Sequence, residues 1–189
     1  MRERVIVLTL ILLGITINSQ GRRDAQSWIH AEYGIMPGQD DLSVGPMAKL
    51  GYGKVIGSKG ILGKAEAFYH NYSVEMFDQQ FLPYQKYGLN VAAGYSYEGL
   101  FPVLLNGWAG AYGAYEQVNN GNTRSPLYSS VIPGDIKGFI YGLSGSAELE
   151  IFLAKKVSLL VNYTQYYDLK SSFSKSNYGV FGGLKYSFN

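Results

Sequence analysis

A chain of 189 residues with a net charge of +2 and only 16% charged residues has the size of one domain and no electrostatic footprint for nucleic acid. A mean hydropathy of −0.04 excludes a polytopic helical membrane protein, and the absence of cysteine excludes disulfides, thiolate metal sites and a lipoprotein anchor. Tyrosine and glycine, at 17 and 24 residues, are the conspicuous types left to explain.

The first element is an export signal. In MRERVIVLTLILLGITINSQG, Arg2 and Arg4 precede an apolar core of thirteen residues, Val5 to Ile17. That run is too short to span a bilayer and right for secretion. Ser19 supplies the small residue before the expected cut at Ser19–Gln20. Residues 1–19 are thus read as a signal peptide and 20–189 as a single β-barrel domain.

Beyond it no segment sustains helical period, and period two recurs. Strands are expected at 27–36, 46–56, 60–70, 86–97, 103–116, 138–152, 157–167 and 176–189. The clearest is KYGLNVAAGYSYE, in which Tyr87, Leu89, Val91, Ala93, Tyr95 and Tyr97 alternate with small or polar residues. FIYGLSGSAELEI repeats the pattern from Phe139 to Ile151, and the closing YGVFGGLKYSFN from Tyr178 to Phe188. Around GSKG, the pairing of Tyr52 with Ala65 also sets Leu50 opposite Ala67 and Ala48 opposite Tyr69. One face is then apolar, and a one-residue slip would mix the two.

The connections alternate. VIGSKG, YEGLFP and LAKK are tight turns; MPGQDDLSVG, NYSVEMFDQQFLPYQ, QVNNGNTRSPLYSSVIPGD and DLKSSFSK are longer and polar. An even strand count with alternating short and long connections is the pattern of an outer-membrane barrel. The fold class expected is all-β: an eight-stranded antiparallel up-and-down barrel in the bacterial outer membrane, in contact with its lipid.

Periodicity alone leaves open whether the apolar face looks inward, as in a soluble ligand-binding barrel, or outward to lipid. Three features favour lipid. The polar face is built of Gly, Ser, Asn and Ala rather than of the Lys, Glu and Thr of a hydrated surface. Tyr33, Tyr69, Tyr87, Tyr97, Tyr115, Tyr141, Tyr163, Tyr178, Tyr186 and Phe188 gather on the apolar face toward strand ends, like interfacial girdles. That face also carries almost no charge, and Lys54, which shares its parity, sits at a turn where it can snorkel. A closing strand with Tyr186 and Phe188 outward is also what outer-membrane insertion machinery reads, although Phe188 is penultimate rather than final.

The opposite face then fills the lumen, which in an eight-stranded barrel has room only for side chains. By parity its charges are Glu32, Lys49, Lys64, Glu66, Glu148, Glu150 and Lys185, read as structural ion pairs. The GSKG hairpin puts Lys49 diagonal to Glu66, and Glu32 and Lys185 fall at similar heights on the first and last strands. Catalytic signals are thin. His70 with Ser73 and Glu75 is the one trio that a lipid-A-modifying barrel enzyme would use, and His30 is the other histidine. Two scattered histidines without cysteine give no metal-ligand spacing, and nothing requires a cofactor. Binding capacity is left to the loops, with Tyr128 and Val131 as contact residues in the longest.

The second half resembles a known family. Ala114-Tyr115-Glu116 with Val118-Asn119, the FIYG tetrapeptide Phe139 to Gly142, the core Leu149 to Ile151, and the strand Lys155 to Val161 after a charged turn are similar to the TraO family of Bacteroidetes conjugative transposons, from about residue 86 onward. The resemblance implies an outer-membrane component of the apparatus that passes DNA between cells, in company with other conjugal transfer proteins. It implies no catalysis and no direct contact with nucleic acid. The competing expectations are a lipid-A-modifying enzyme and a generic adhesion or structural barrel.

Overall fold

The computed structural model describes residues 25–38, 43–56, 60–76, 80–122, 137–170 and 175–188. They form β1 (Ser27–Met36), β2 (Gly45–Val55), β3 (Ile61–Met76), β4 (Gln80–Leu100), β5 (Val103–Val118), β6 (Lys137–Ala154), β7 (Val157–Lys170) and β8 (Ser176–Phe188), with a short 3-10 turn at Asn119–Gly121. Each strand pairs antiparallel with the next, and β8 returns to β1, closing the barrel. Among the described residues no helix is long and apolar enough to cross a membrane.

The register fixes the barrel's shape. From Ser27 the paired residues run through Lys54, Gly63, Ala93, Ala109, Gly145 and Gln165 to Tyr178 on β8. The direct β8 partner of Ser27 is Phe188, ten residues further on. A stagger of that size over eight strands tilts them by about 40° and leaves a bore that side chains fill.

Alternation holds as expected. The GSKG hairpin pairs Tyr52 with Ala65, Leu50 with Ala67 and Ala48 with Tyr69. Leu89 and Val91 are 66% and 65% exposed between the buried Asn90 and Ala92, so the aliphatic row looks out. The last strand follows suit: Val180, Leu184 and Tyr186 are exposed, and Phe181, Lys185 and Ser187 are buried. Tyr163, counted with the girdles, sits instead at the middle of β7.

One connection differs from expectation. Most of NYSVEMFDQQFLPYQ is a continuation of the β3–β4 hairpin, paired from Asn71 opposite Gln85 to Met76 opposite Gln80. Pro83 hides this in the sequence, since proline cannot donate to a ladder. It is tolerated because β4 pairs with β5 only from Tyr84 onward, leaving Pro83 on an edge. The barrel wall is therefore uneven. β1 and β2 have 10 and 11 residues, whereas β4 and β6 have 21 and 18. A tilted strand crosses a bilayer in about 9–11 residues, so β3 to β6 rise beyond it at the loop end.

The glycines are part of the packing. Trp28 lies opposite Gly53, His30 opposite Gly51, Trp108 opposite Gly94, Tyr112 opposite Gly142 and Phe181 opposite Gly34. A Cβ on any of these glycines would run into the ring of that partner. Large rings fit a narrow lumen because each lies across a bare backbone on the next strand. Gly53→Leu is accordingly expected to cost about 1–3 kcal/mol through overpacking. Gly182→Leu, on the outer face where a Cβ meets nothing within 4 Å, should be near neutral; urea unfolding of both variants in lipid vesicles checks the contrast.

Candidate functional site: the lumen and the loop-end rim

The lumen is stacked in three layers. At the turn end Trp28, Val55, Leu62, Ala92 and Trp108 form an apolar plug. Toward the loop end Met36, Met47, Phe68, Tyr72, Leu82, Tyr84, Tyr112, Ala114, Val118, Ile140, Tyr166 and Phe181 form a larger one. The charged residues lie mainly between the two.

All seven charges assigned to the lumen by parity are buried there, but the cross-lumen pairing differs from the sequence expectation. Lys49 meets its direct neighbour Glu32 at 3.1 Å rather than Glu66, and its ammonium also donates to Thr164 Oγ1 at 3.2 Å. Lys64 takes Glu66 at 2.8 Å and approaches Glu148 at 3.8 Å. Lys185 lies opposite His30, two residues from the level of Glu32, and donates to Glu150 at 2.7 Å. The stagger of the barrel, which a strand-by-strand reading does not contain, decides these partners.

Amides complete the network. Asn162 donates to Glu32 at 3.0 Å, Asn90 to Glu66 at 2.9 Å, and Asn106 to Glu148 at 2.8 Å and Glu150 at 3.2 Å. Each lysine also lies over an aromatic ring: Lys49 over Phe181, Lys64 over Trp108 and Lys185 over Trp28, at 3.6, 4.5 and 4.2 Å from the centroids. An ammonium held between carboxylate and ring regains much of the solvation it loses on burial. The layer is a scaffold of compensated charges.

Sequence reasoning missed a second group nearer the loop end. Lys86 donates to both oxygens of Asp168, at 2.9 and 3.0 Å, and the Tyr112 hydroxyl donates to the same carboxylate. Tyr84 donates to Glu116 at 2.6 Å. Lys86 and Glu116 are the end residues of the expected strands 86–97 and 103–116, and the same parity that assigns the other seven charges to the lumen applies to them. Asp168 fell within a stretch expected to be loop.

The histidines are placed by the same alternation. His30 Nε2 lies 3.0 Å from Glu66 and 3.6 Å from Glu32, and the three side chains could offer ligand atoms within 4.8 Å of one another. The register thus gathers a cluster that sequence spacing did not announce. Lys49 and Lys64 already neutralise both carboxylates, and the cluster carries no metal reading. His70 is buried against Tyr72. Ser73 has the opposite parity and faces outward, so these two members of the enzyme trio stand on opposite sides of the wall; the Glu75 side chain lies outside the described residues. So do Ser19, Gln20, Tyr128 and Val131. Tyr186 and Phe188 project at the turn end with ring centroids 6.4 Å apart.

No family model and no curated protein matches the chain. Among solved structures it is similar to the Neisserial surface protein A, at 16% identity and a TM-score of 0.59 over 89% of this chain and all of that one. It is similar to the outer membrane protein OprG from Pseudomonas aeruginosa, at 10% identity and 0.60 over 91% and 100%. The attachment invasion locus protein Ail of Yersinia pestis, solved with a heparin analogue, gives 15% identity and 0.56 over 88% and 100%. At these identities the likeness concerns architecture: the chain has the eight-stranded closed antiparallel fold of small outer-membrane barrels.

Proposed function

We propose that the protein is a docking barrel of the bacterial outer membrane that serves a conjugative DNA-transfer apparatus without catalysis. The observation that carries this reading is the junction of two resemblance segments. Ala114-Tyr115-Glu116 and Phe139 to Gly142 are distant in sequence but adjacent in space, with Tyr115 opposite Phe139 and Ala114 opposite Ile140. Both lie toward the loop end of β5 and β6, on the raised wall. Tyr115, Phe139 and Tyr141 of these segments look outward while Ala114, Glu116 and Ile140 are buried in the lumen, and the outward aromatic row fits a docking contact.

The lumen supports a structural role, because two apolar plugs flank the charges and the lysines are each paired with a carboxylate. A catalytic role finds little support where His30 is held by Glu66 and His70 is buried under a tyrosine. Both chain ends of the barrel, Ser27 and Phe188, lie at the turn end, which suits a chain delivered from the periplasm by an export signal. Deleting the coding region from a transposon-bearing donor, with complementation in trans, tests the proposal. Transfer frequency is expected to fall sharply while lipid A composition stays unchanged. Normal transfer would remove the conjugation role, and altered lipid A would favour the enzyme.

A further inference from the structure

The outer face is electrically lopsided. Among the described side chains every carboxylate except Glu98 is buried in the lumen, and Glu98 stands at the turn end. At the loop end Lys137 on β6 and Lys170 on β7 are exposed, with Lys175 exposed just before β8. Lys137 shares the outward parity of Phe139 and Tyr141, which are themselves exposed.

Lys170 reaches that face by an irregularity. Gly142 pairs with Asp168 but Tyr141 pairs with Lys170, so β7 carries one extra residue at this step. A bulge of this kind re-aims the side chains beyond it. Without it Lys170 would follow Asp168 into the lumen; with it Lys170 stands beside Tyr141, and Leu169 is exposed as well. Two ammonium groups thus flank an aromatic pair at the upper border of the apolar belt, with no described carboxylate on that face to answer them.

We propose that this corner of β6 and β7 seats the phosphorylated headgroup of an outer-leaflet glycolipid. Lys137 and Lys170 take its anionic oxygens, and Phe139, Tyr141 and Leu169 lie along the sugar–acyl boundary. Charge set directly against aromatic and aliphatic surface is the complement of an anionic amphiphile. A soluble polyanion would use the charge and leave the apolar part unanswered. The inference rests on the outer-membrane part of the proposed function and not on conjugation.

The test is native mass spectrometry of the protein, purified in uncharged detergent, titrated with bis-phosphorylated lipid A. Lys137→Gln/Lys170→Gln is expected to weaken binding by roughly twenty- to thirtyfold, since a lysine near a charged membrane surface contributes about a fivefold factor. Lys155→Gln/Lys156→Gln, at the opposite end, should change it less than about twofold. Heat-modifiable gel migration identical to the parent shows that both variants are folded. Equal affinity in parent and rim variant overturns the proposal. So does equal binding of lipid A stripped of phosphate, or displacement by a sulfated oligosaccharide or inorganic phosphate at matched charge. A protein that stays monomeric without detergent would instead sink the membrane reading on which the proposal stands.

Discussion

Glu66→Ala is expected to destabilise the barrel by about 3–5 kcal/mol, the cost of leaving a buried partner charge uncompensated. Glu66 sits 2.8 Å from Lys64 and 3.0 Å from His30, and accepts from Asn90 at 2.9 Å. Removing the carboxylate leaves the Lys64 ammonium to the more distant Glu148, at 3.8 Å, and orphans the Asn90 amide in a space closed above and below by apolar side chains. The double variant Lys64→Met/Glu66→Leu removes the charges together and should recover part of the loss, because similar-sized apolar pairs often replace buried ion pairs without penalty. Urea unfolding in lipid vesicles measures both. A single variant within about 1 kcal/mol of the parent would mean that the pair is as hydrated as a surface bridge, contrary to the plugged lumen.

The second large effect concerns the outer face. Val91→Arg should cost about 2–4 kcal/mol in a bilayer, and the same change at Leu153 only about 0–1 kcal/mol. Val91 projects at 65% exposure between Ala65 and Ala111 on the flanking strands. Leu153 is also exposed but lies next to the Lys155–Lys156 turn, where an arginine reaches water. Equal penalties at the two sites would show that depth does not matter and that the exposed aliphatic row is not immersed in lipid.

Architecture was legible in the sequence because it follows from local rules. Alternation set the faces, matched faces set the register at GSKG, and turn chemistry set the hairpin order. What stayed hidden depends on relations that a single strand does not carry. The partners of Lys49 and Lys185 follow from the stagger of the whole barrel. The role of Lys170 follows from one extra residue in β7, which reverses parity at a point where the sequence shows only DLK. The extended β3–β4 hairpin was obscured by Pro83, whose cost vanishes on an edge. In the sequence the glycines show only as small residues of the polar face, yet several are the floor on which the lumen's aromatic rings rest. The resemblance segments were visible as strings, and their cross-strand contact became visible only in the fold.

The seam between β1 and β8 has a consequence for assembly. It joins Ser27 to Phe188 and Ile29 to Tyr186, contacts separated by most of the polypeptide. Each neighbouring hairpin can zip from its own turn, but this last ladder must wait until every other strand is in place, and contacts so remote in sequence form slowly. Until then two bare edges stand open beside an unsealed ionic interior.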